Sequence, residues 1–196
     1  MPEQNALGTV PEDSNLALHW LMPLHFFYER RGLELPGLDF IDGAEMRDGD
    51  QQLLVHENDM TPTLTEHHGT ELGIQVLDKE VSEAMILRLV ILRRHDNLLP
   101  VECGAIAIHL EHFEPEVREL IRDCQIPLGG ILQTHEIPHY GRPRGFFQLE
   151  ADELIANALG EDVGQVLSGR CNELCNPEGF ALADVVEILP QTRVVS

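Results

Sequence analysis

Three consecutive stretches decide the fold: Glu83-Ala-Met-Ile-Leu-Arg-Leu-Val-Ile-Leu-Arg-Arg94, the link His95-Asp96-Asn97, and Leu98-Leu-Pro-Val-Glu-Cys-Gly-Ala-Ile-Ala-Ile-His-Leu-Glu111. The outer two are dense in Val, Ile and Leu, and the polar link suits a short hairpin turn. Pro100 has no amide hydrogen to offer a neighbour, so regular pairing of the second strand starts a residue or two late. Upstream, Leu72 to Leu77 is another strand candidate. Downstream, Arg170 to Cys175 and Phe180 to Leu189 flank Asn176-Pro177-Glu178-Gly179, a strong turn signal between two strands. These segments predict an antiparallel sheet with the 83–111 hairpin at its centre.

Helical signals lie before and between the strands. Asn15 to Arg31 carries Leu16, Leu18, Trp20, Leu21, Leu24, Phe26 and Phe27 behind a Ser14 or Asn15 cap, and Pro23 bends or splits it. Gly32 to Gly49 reads as a connecting loop. Asp59-Met60-Thr61 opens a capped turn that runs through Leu64 to a glycine stop at Gly69. Phe113 to Arg122 has Pro115 near its start and Val117, Leu120 and Ile121 on one side, the pattern of a surface helix. Ile126 to Gln133 is an apolar piece, Leu149 to Ala158 an amphipathic helix ended by Gly160, and Glu161 to Leu167 a further helical stretch. The mixture predicts an α+β fold: one domain over 1–196, with 1–50 an N-terminal helix and loop extension and 51–190 the core.

The formal charge of -21, from 34 acidic and 13 basic residues, repels phosphate backbones and anionic lipid, so nucleic acid and membrane are poor partners. No apolar run approaches the roughly 18 residues of a membrane helix. The start, Met1 to Val10, has neither the basic end nor the apolar run of a leader, which places the protein in the cytoplasm. Cys103, Cys124, Cys171 and Cys175 lack zinc-ribbon spacing and read as reduced structural thiols.

Two charges stand where a strand should be apolar. Alternate strand residues share a face, which puts Arg88 among Ile86, Val90 and Leu92, and Glu187 between Val185 and Leu189. A guanidinium cannot escape burial by losing its proton, so it needs a carboxylate from protein or ligand. Two outcomes stay open. Arg88 and Glu187 pair with each other as an internal salt bridge, or both line a pocket, the arginine holding an anion and the glutamate beside a reacting carbon.

Four pieces in order carry a family resemblance: Asp59-Met60-Thr61 with its helix, Leu87-Arg88-Leu89, Ile126-Pro127-Leu128-Gly129, and Val186-Glu187-Ile188-Leu189-Pro190 after a hairpin. Together they resemble the chorismate pyruvate-lyase family. The resemblance implies a chorismate lyase-like, six-stranded antiparallel sheet with helices packed on it and an enclosed pocket under flaps. It also implies elimination of pyruvate from chorismate to give a hydroxybenzoate, without metal or organic cofactor. Met60, Arg88, Leu128, Gly129 and Glu187 correspond to its substrate- and product-binding positions, and Arg88 and Glu187 to its catalytic ones. In that reading Arg88 fixes the ring carboxylate, Glu187 is base or polar orienter, and Met60 and Leu128 are walls against the ring. The chain departs from the family in His135 to Gln148, and near Arg170, where Asn172 and Glu173 stand in place of further arginines.

The same fold also serves as the effector-binding domain of bacterial transcription regulators. The alternative is therefore a non-catalytic protein that binds or senses a small aromatic carboxylate. His135-Glu-Ile-Pro-His139 matches the letters of a zinc-protease motif. Pro138 inside it breaks the helix that would bring both histidines to one face, so it reads as a loop.

Overall fold

The computed structural model describes residues 7–191. The reading of Met1 to Val10 as leaderless therefore falls mostly outside the described residues. Among the described residues seven strands, β1 (Leu38–Ile41), β2 (Leu72–Val81), β3 (Met85–Arg94), β4 (Pro100–His109), β5 (Tyr140–Glu150), β6 (Val166–Cys175) and β7 (Ala181–Ile188), form one antiparallel sheet in the spatial order β1-β5-β6-β7-β4-β3-β2. The central hairpin is as expected: β3 (Met85–Arg94) pairs with β4 (Pro100–His109), and its register slips by one residue between Leu92 and Arg93, close to Pro100. β2 (Leu72–Val81) lies outside β3. On the other side, β4 pairs with β7 (Ala181–Ile188), and β7 with β6 (Val166–Cys175).

The remaining two strands correct the six-stranded expectation. β5 (Tyr140–Glu150) pairs with β6 along its whole length, and β1 (Leu38–Ile41) pairs with only Phe146 to Leu149 of β5. Two glycines and Pro143 disguise the first half of β5 as a loop. Pro143 is tolerated because β1 does not reach it, and the ladder to β6 shifts register just after it. The predicted loop 32–49 thus contains β1, a 3-10 turn Gly43–Glu45 and the start of α3 (Asp48–Leu54).

The first helix splits as Pro23 demands, into α1 (Ser14–Trp20) and α2 (Met22–Arg30), with Pro23 in the first turn of the second. Its cap is Asp13, whose carboxylate accepts from the Leu16 amide at 2.8 Å. α4 (Met60–His68) stops at Gly69, whose φ of 63° is the left-handed conformation that glycine adopts without strain. α5 (Pro115–Asp123) and α6 (Leu128–Thr134) follow β4, and α7 (Glu153–Leu159) is capped by Asp152. Leu149 belongs to β5 rather than to α7. No helix forms over Glu161 to Leu167, because Gly164, at φ 83°, turns the chain directly into β6. Among the described residues no helix is long and apolar enough to cross a membrane, and all four cysteines are buried free thiols.

Strand alternation sorts the core into two faces. Leu89 and Ile91 of β3, Cys103 and Ala105 of β4, Phe147 of β5 and Val186 of β7 meet Leu24, Phe27, Tyr28, Ile155 and Leu159 of α2 and α7. Each large apolar side chain fully buried here contributes about 1.5–3 kcal/mol of transfer free energy. The opposite face has two separate apolar clusters. One joins Ile86, Ile106 and Val185 to α5 and α6, and the other joins Leu92, Phe146 and Leu189 to α3 and α4. The seam between these clusters holds the charged residues.

Candidate functional site

The register places Arg88 opposite Ile106, and Ile106 opposite Val185. In the next row, Val90 is opposite Gly104, Gly104 opposite Glu187, and Glu187 opposite Arg170. This row and its neighbours form the floor of a pocket. The starts of α4 and α6 roof it with Asp59, Met60, Thr61, Pro127, Leu128 and Gly129. Ile74, Val90, Leu92, Ile106, Leu174 and Val185 make the walls apolar. The cavity volume is about 60 Å³, below the roughly 300–1,000 Å³ of typical small-molecule sites, so a ring-sized ligand requires the roof to shift. All five residues singled out in the sequence, Met60, Arg88, Leu128, Gly129 and Glu187, line this one pocket.

Arg88 is 1% exposed, and its Nε and Nη1 have no hydrogen-bond partner. Burial pushes its pKa down, opposed by contact with Cys124. A guanidinium nonetheless keeps its proton, so an unmatched positive charge is left in the pocket.

Of the two outcomes left open above, the internal Arg88–Glu187 salt bridge is not what forms. Glu187 accepts from Nε of Arg170 instead, and both other nitrogens of Arg170 donate as well. Nη1 donates to the carbonyls of Leu54 at 3.2 Å and His56 at 3.0 Å, and Nη2 donates to that of Asn58 at 3.1 Å. Arg170, 0% exposed, therefore pins the α3–α4 link, which leads into the roof, to the floor. Burial and the adjacent Arg170 both lower the pKa of His56. Its Nδ1 accepts from the Asn58 amide and Nε2 faces the Leu53 carbonyl at 2.7 Å, the arrangement of a neutral ring with its proton on Nε2.

A second carboxyl, Glu102, escaped the sequence reading. It is 5% exposed, lines the pocket and leaves Oε2 without a partner. Burial, reinforced by the negative charge of Glu187, holds its pKa well above the usual carboxylate range, so it stays protonated where ordinary glutamates ionise. The alternation that exposed Arg88 on β3, applied to β4, puts Glu102 in line with Gly104, Ile106 and Ile108. Gly104 makes the room: a Cβ there would meet Glu102 Oε1 at 2.8 Å.

The roof is tied down by Asp59 and His139. Asp59 precedes α4 but caps no amide with its side chain; its Oδ2 bonds His139 Nε2 at 2.7 Å instead. The histidine in turn meets the Ile137 carbonyl through Nδ1 at 2.7 Å. The residues 135 to 139 thus do not form a metalloprotease helix. His135 ends α6, Glu136 turns the chain at φ 50°, and His139 precedes β5. Among the described residues no group of three or more His, Cys, Asp or Glu side chains could hold a metal ion.

The bond to Asp59 raises the His139 pKa against the opposing effect of burial. A raised folded-state pKa adds stability that is complete below the ordinary histidine value of about 6.5 and is lost as pH rises through the folded-state value. His139→Gln should therefore cost more stability at pH 5.5 than at pH 8.5 in urea unfolding. Equal losses at both pH values would show that the pair does not titrate with folding.

No protein-family model matches the sequence, and no curated protein matches it. In three dimensions the chain is similar to PhnF from Mycobacterium smegmatis: 13% identity, 71% of this chain and 66% of that chain covered, TM-score 0.53. The chain thus spans just under two thirds of that PhnF chain. The effector domain of the same PhnF is matched at 14% identity over 69% of this chain and 90% of the domain, with a TM-score of 0.54. The ligand-binding domain of a protein described as a GntR-family transcriptional regulator from Bordetella bronchiseptica is matched at 14% identity over 62% of this chain and 87% of that one, with a TM-score of 0.46. The fold is the chorismate lyase-like α+β architecture that regulator effector domains also use.

These likenesses correct the expectation of a chorismate pyruvate-lyase: the solved structures matched are PhnF and its effector domain, and neither is described as a lyase.

Proposed function

We propose that this chain is a non-catalytic binding domain that holds a small apolar carboxylate, such as a benzoate-class acid, and serves as the sensing part of a regulatory protein. One observation carries the reading: a fully buried guanidinium, two of its nitrogens unpartnered, in the lining of an apolar pocket. A carboxylate entering there supplies the missing counter-charge through a charge-assisted hydrogen bond, and in a dry site such a pair is far stronger than in water. Met60, Leu128, Val90 and Ile106 enclose the apolar body, and Gly129 lets α6 sit against Thr61 of α4 to close the roof. The net charge of -21 opposes long-range attraction of an anion, so the affinity arises inside the pocket and association is slow. The sensing role draws on the likeness to effector domains and goes no further than that fold permits.

Isothermal titration of the purified protein with benzoate tests the reading. The expected result is one site per chain with a dissociation constant of about 1 mM or tighter, a modest value for so small a ligand. Absence of heat and of any thermal stabilisation by benzoate up to about ten times that concentration would overturn it.

A further inference from the structure

The pocket contains a polar atom that the bound carboxylate would not use. Glu102 and Arg88 lie on different strands, in different rows of the floor. Arg88 is beside Ile106, while the Glu102 carboxyl folds back over Gly104, one alternate residue along β4. That step is about 7 Å of strand, roughly the length of a substituted ring. Oε2 of Glu102 is buried and unpartnered, and Glu102 belongs to the pocket lining. A buried polar atom left without a partner is costly, so the geometry favours a ligand that satisfies it.

The charges around Glu102 define what that ligand group can be. Glu187 on β7 lies across Gly104, with Arg170 of β6 bound to it. Arg88 on β3 lies in the adjacent row, and Asp59 at the start of α4 is turned to His139. Arg170, the cation that acts on Glu102, is already engaged by Glu187 and three backbone carbonyls, and Arg88 is taken by the carboxylate of the ligand, so a second negative charge beside Glu102 meets Glu187 uncompensated. A neutral carboxylic acid both donates and accepts a hydrogen bond, whereas an anionic group placed there would face Glu187.

Resting on the benzoate-class reading above, we infer that Glu102 is the specificity-determining residue of the pocket. It selects a monocarboxylate whose far end carries a neutral hydrogen-bonding group, a hydroxyl or carbonyl, and disfavours a second carboxylate.

The test is a calorimetric comparison of benzoate, 3-hydroxybenzoate, 4-hydroxybenzoate and benzene-1,4-dicarboxylate on the wild type, Glu102→Gln, Glu102→Leu and Arg88→Met. In the wild type, one of the hydroxybenzoates is expected to bind about tenfold tighter than benzoate, and the dicarboxylate more weakly than either. Glutamine donates and accepts as the neutral acid does, so Glu102→Gln should keep the preference, and Glu102→Leu should bring the ratio close to one. A wild type that does not discriminate, one that prefers the dicarboxylate, or an unchanged ratio in Glu102→Leu would each overturn the role of Glu102. Any of these leaves the carboxylate reading intact if Arg88→Met has lost benzoate. Benzoate binding equally to wild type and Arg88→Met would instead overturn the carboxylate reading, and with it the inference drawn from it.

Discussion

Replacing Arg88 by methionine is expected to stabilise the unliganded protein while lowering its affinity for a benzoate-class acid by at least about a hundredfold. The two effects share a cause. The guanidinium is 1% exposed and lacks partners at Nε and Nη1, so folding desolvates a charge without compensating it inside the chain. Exchanging poorly compensated buried charge for apolar volume typically gains about 1–4 kcal/mol. Methionine is unbranched and flexible enough to fill the space between Ile86, Ile106 and Leu128. In a chain of this size each kcal/mol moves the thermal midpoint by about 2–4 °C. Calorimetric melting of both proteins, with and without benzoate, reads both effects in one experiment. The variant should melt higher without ligand and fail to respond to it. A lower midpoint would mean that Arg88 is matched within the chain, and would remove the ground for assigning it a ligand. In a chain with 34 acidic residues, leaving a buried arginine unpaired is a loss of stability with no structural return, as expected of a binding site.

Why some of this was legible and some was not follows from what each element's residues were asked to do. β3 and β4 announced themselves because both faces of a central strand are buried, which forces long apolar runs broken only where a charge has a task. That break identified Arg88. β1 and β5 form the edge region, where pairing is partial and Pro143, Gly141 and Gly145 fit without penalty, so their composition reads as loop. Gly145 is there for space: a Cβ would meet the Thr9 carbonyl at 2.8 Å and Trp20 at 2.9 Å. Alternation gave the direction of Glu187 but could not give its partner. Arg170 opposes it only because β6 and β7 pair in one particular register, a fact of tertiary structure. Glu102 was accessible to the rule that found Arg88 and was passed over because a single acid beside Pro100 resembles a strand end. The family resemblance located the five pocket residues and the architecture, yet its chemistry did not transfer. The glutamate that the resemblance assigned to chemistry is bonded by an arginine of the neighbouring strand.

Arg170→Met should have the opposite sign to Arg88→Met, although both arginines are buried in the same layer of the same sheet. Arg170 neutralises Glu187 and donates to the carbonyls of Leu54, His56 and Asn58. Removing it leaves a carboxylate 5% exposed without its counter-ion and three backbone acceptors without their donor. Breaking a buried pair from one side costs about 3–5 kcal/mol, and the orphaned carbonyls add to that. The midpoint should therefore fall by about 10 °C or more. The loosened 54–58 link carries Met60 and Thr61, so ligand affinity should fall as well even though Arg170 does not line the pocket. A double-mutant cycle separates the two debts. Glu187→Leu added to Arg170→Met removes the stranded carboxylate and should recover about half of the loss, while the remainder stays with the unsatisfied carbonyls. Strict additivity of the two single changes in urea unfolding would show that the buried pair is not coupled. The opposing signs of Arg88 and Arg170 would then have to come from packing alone.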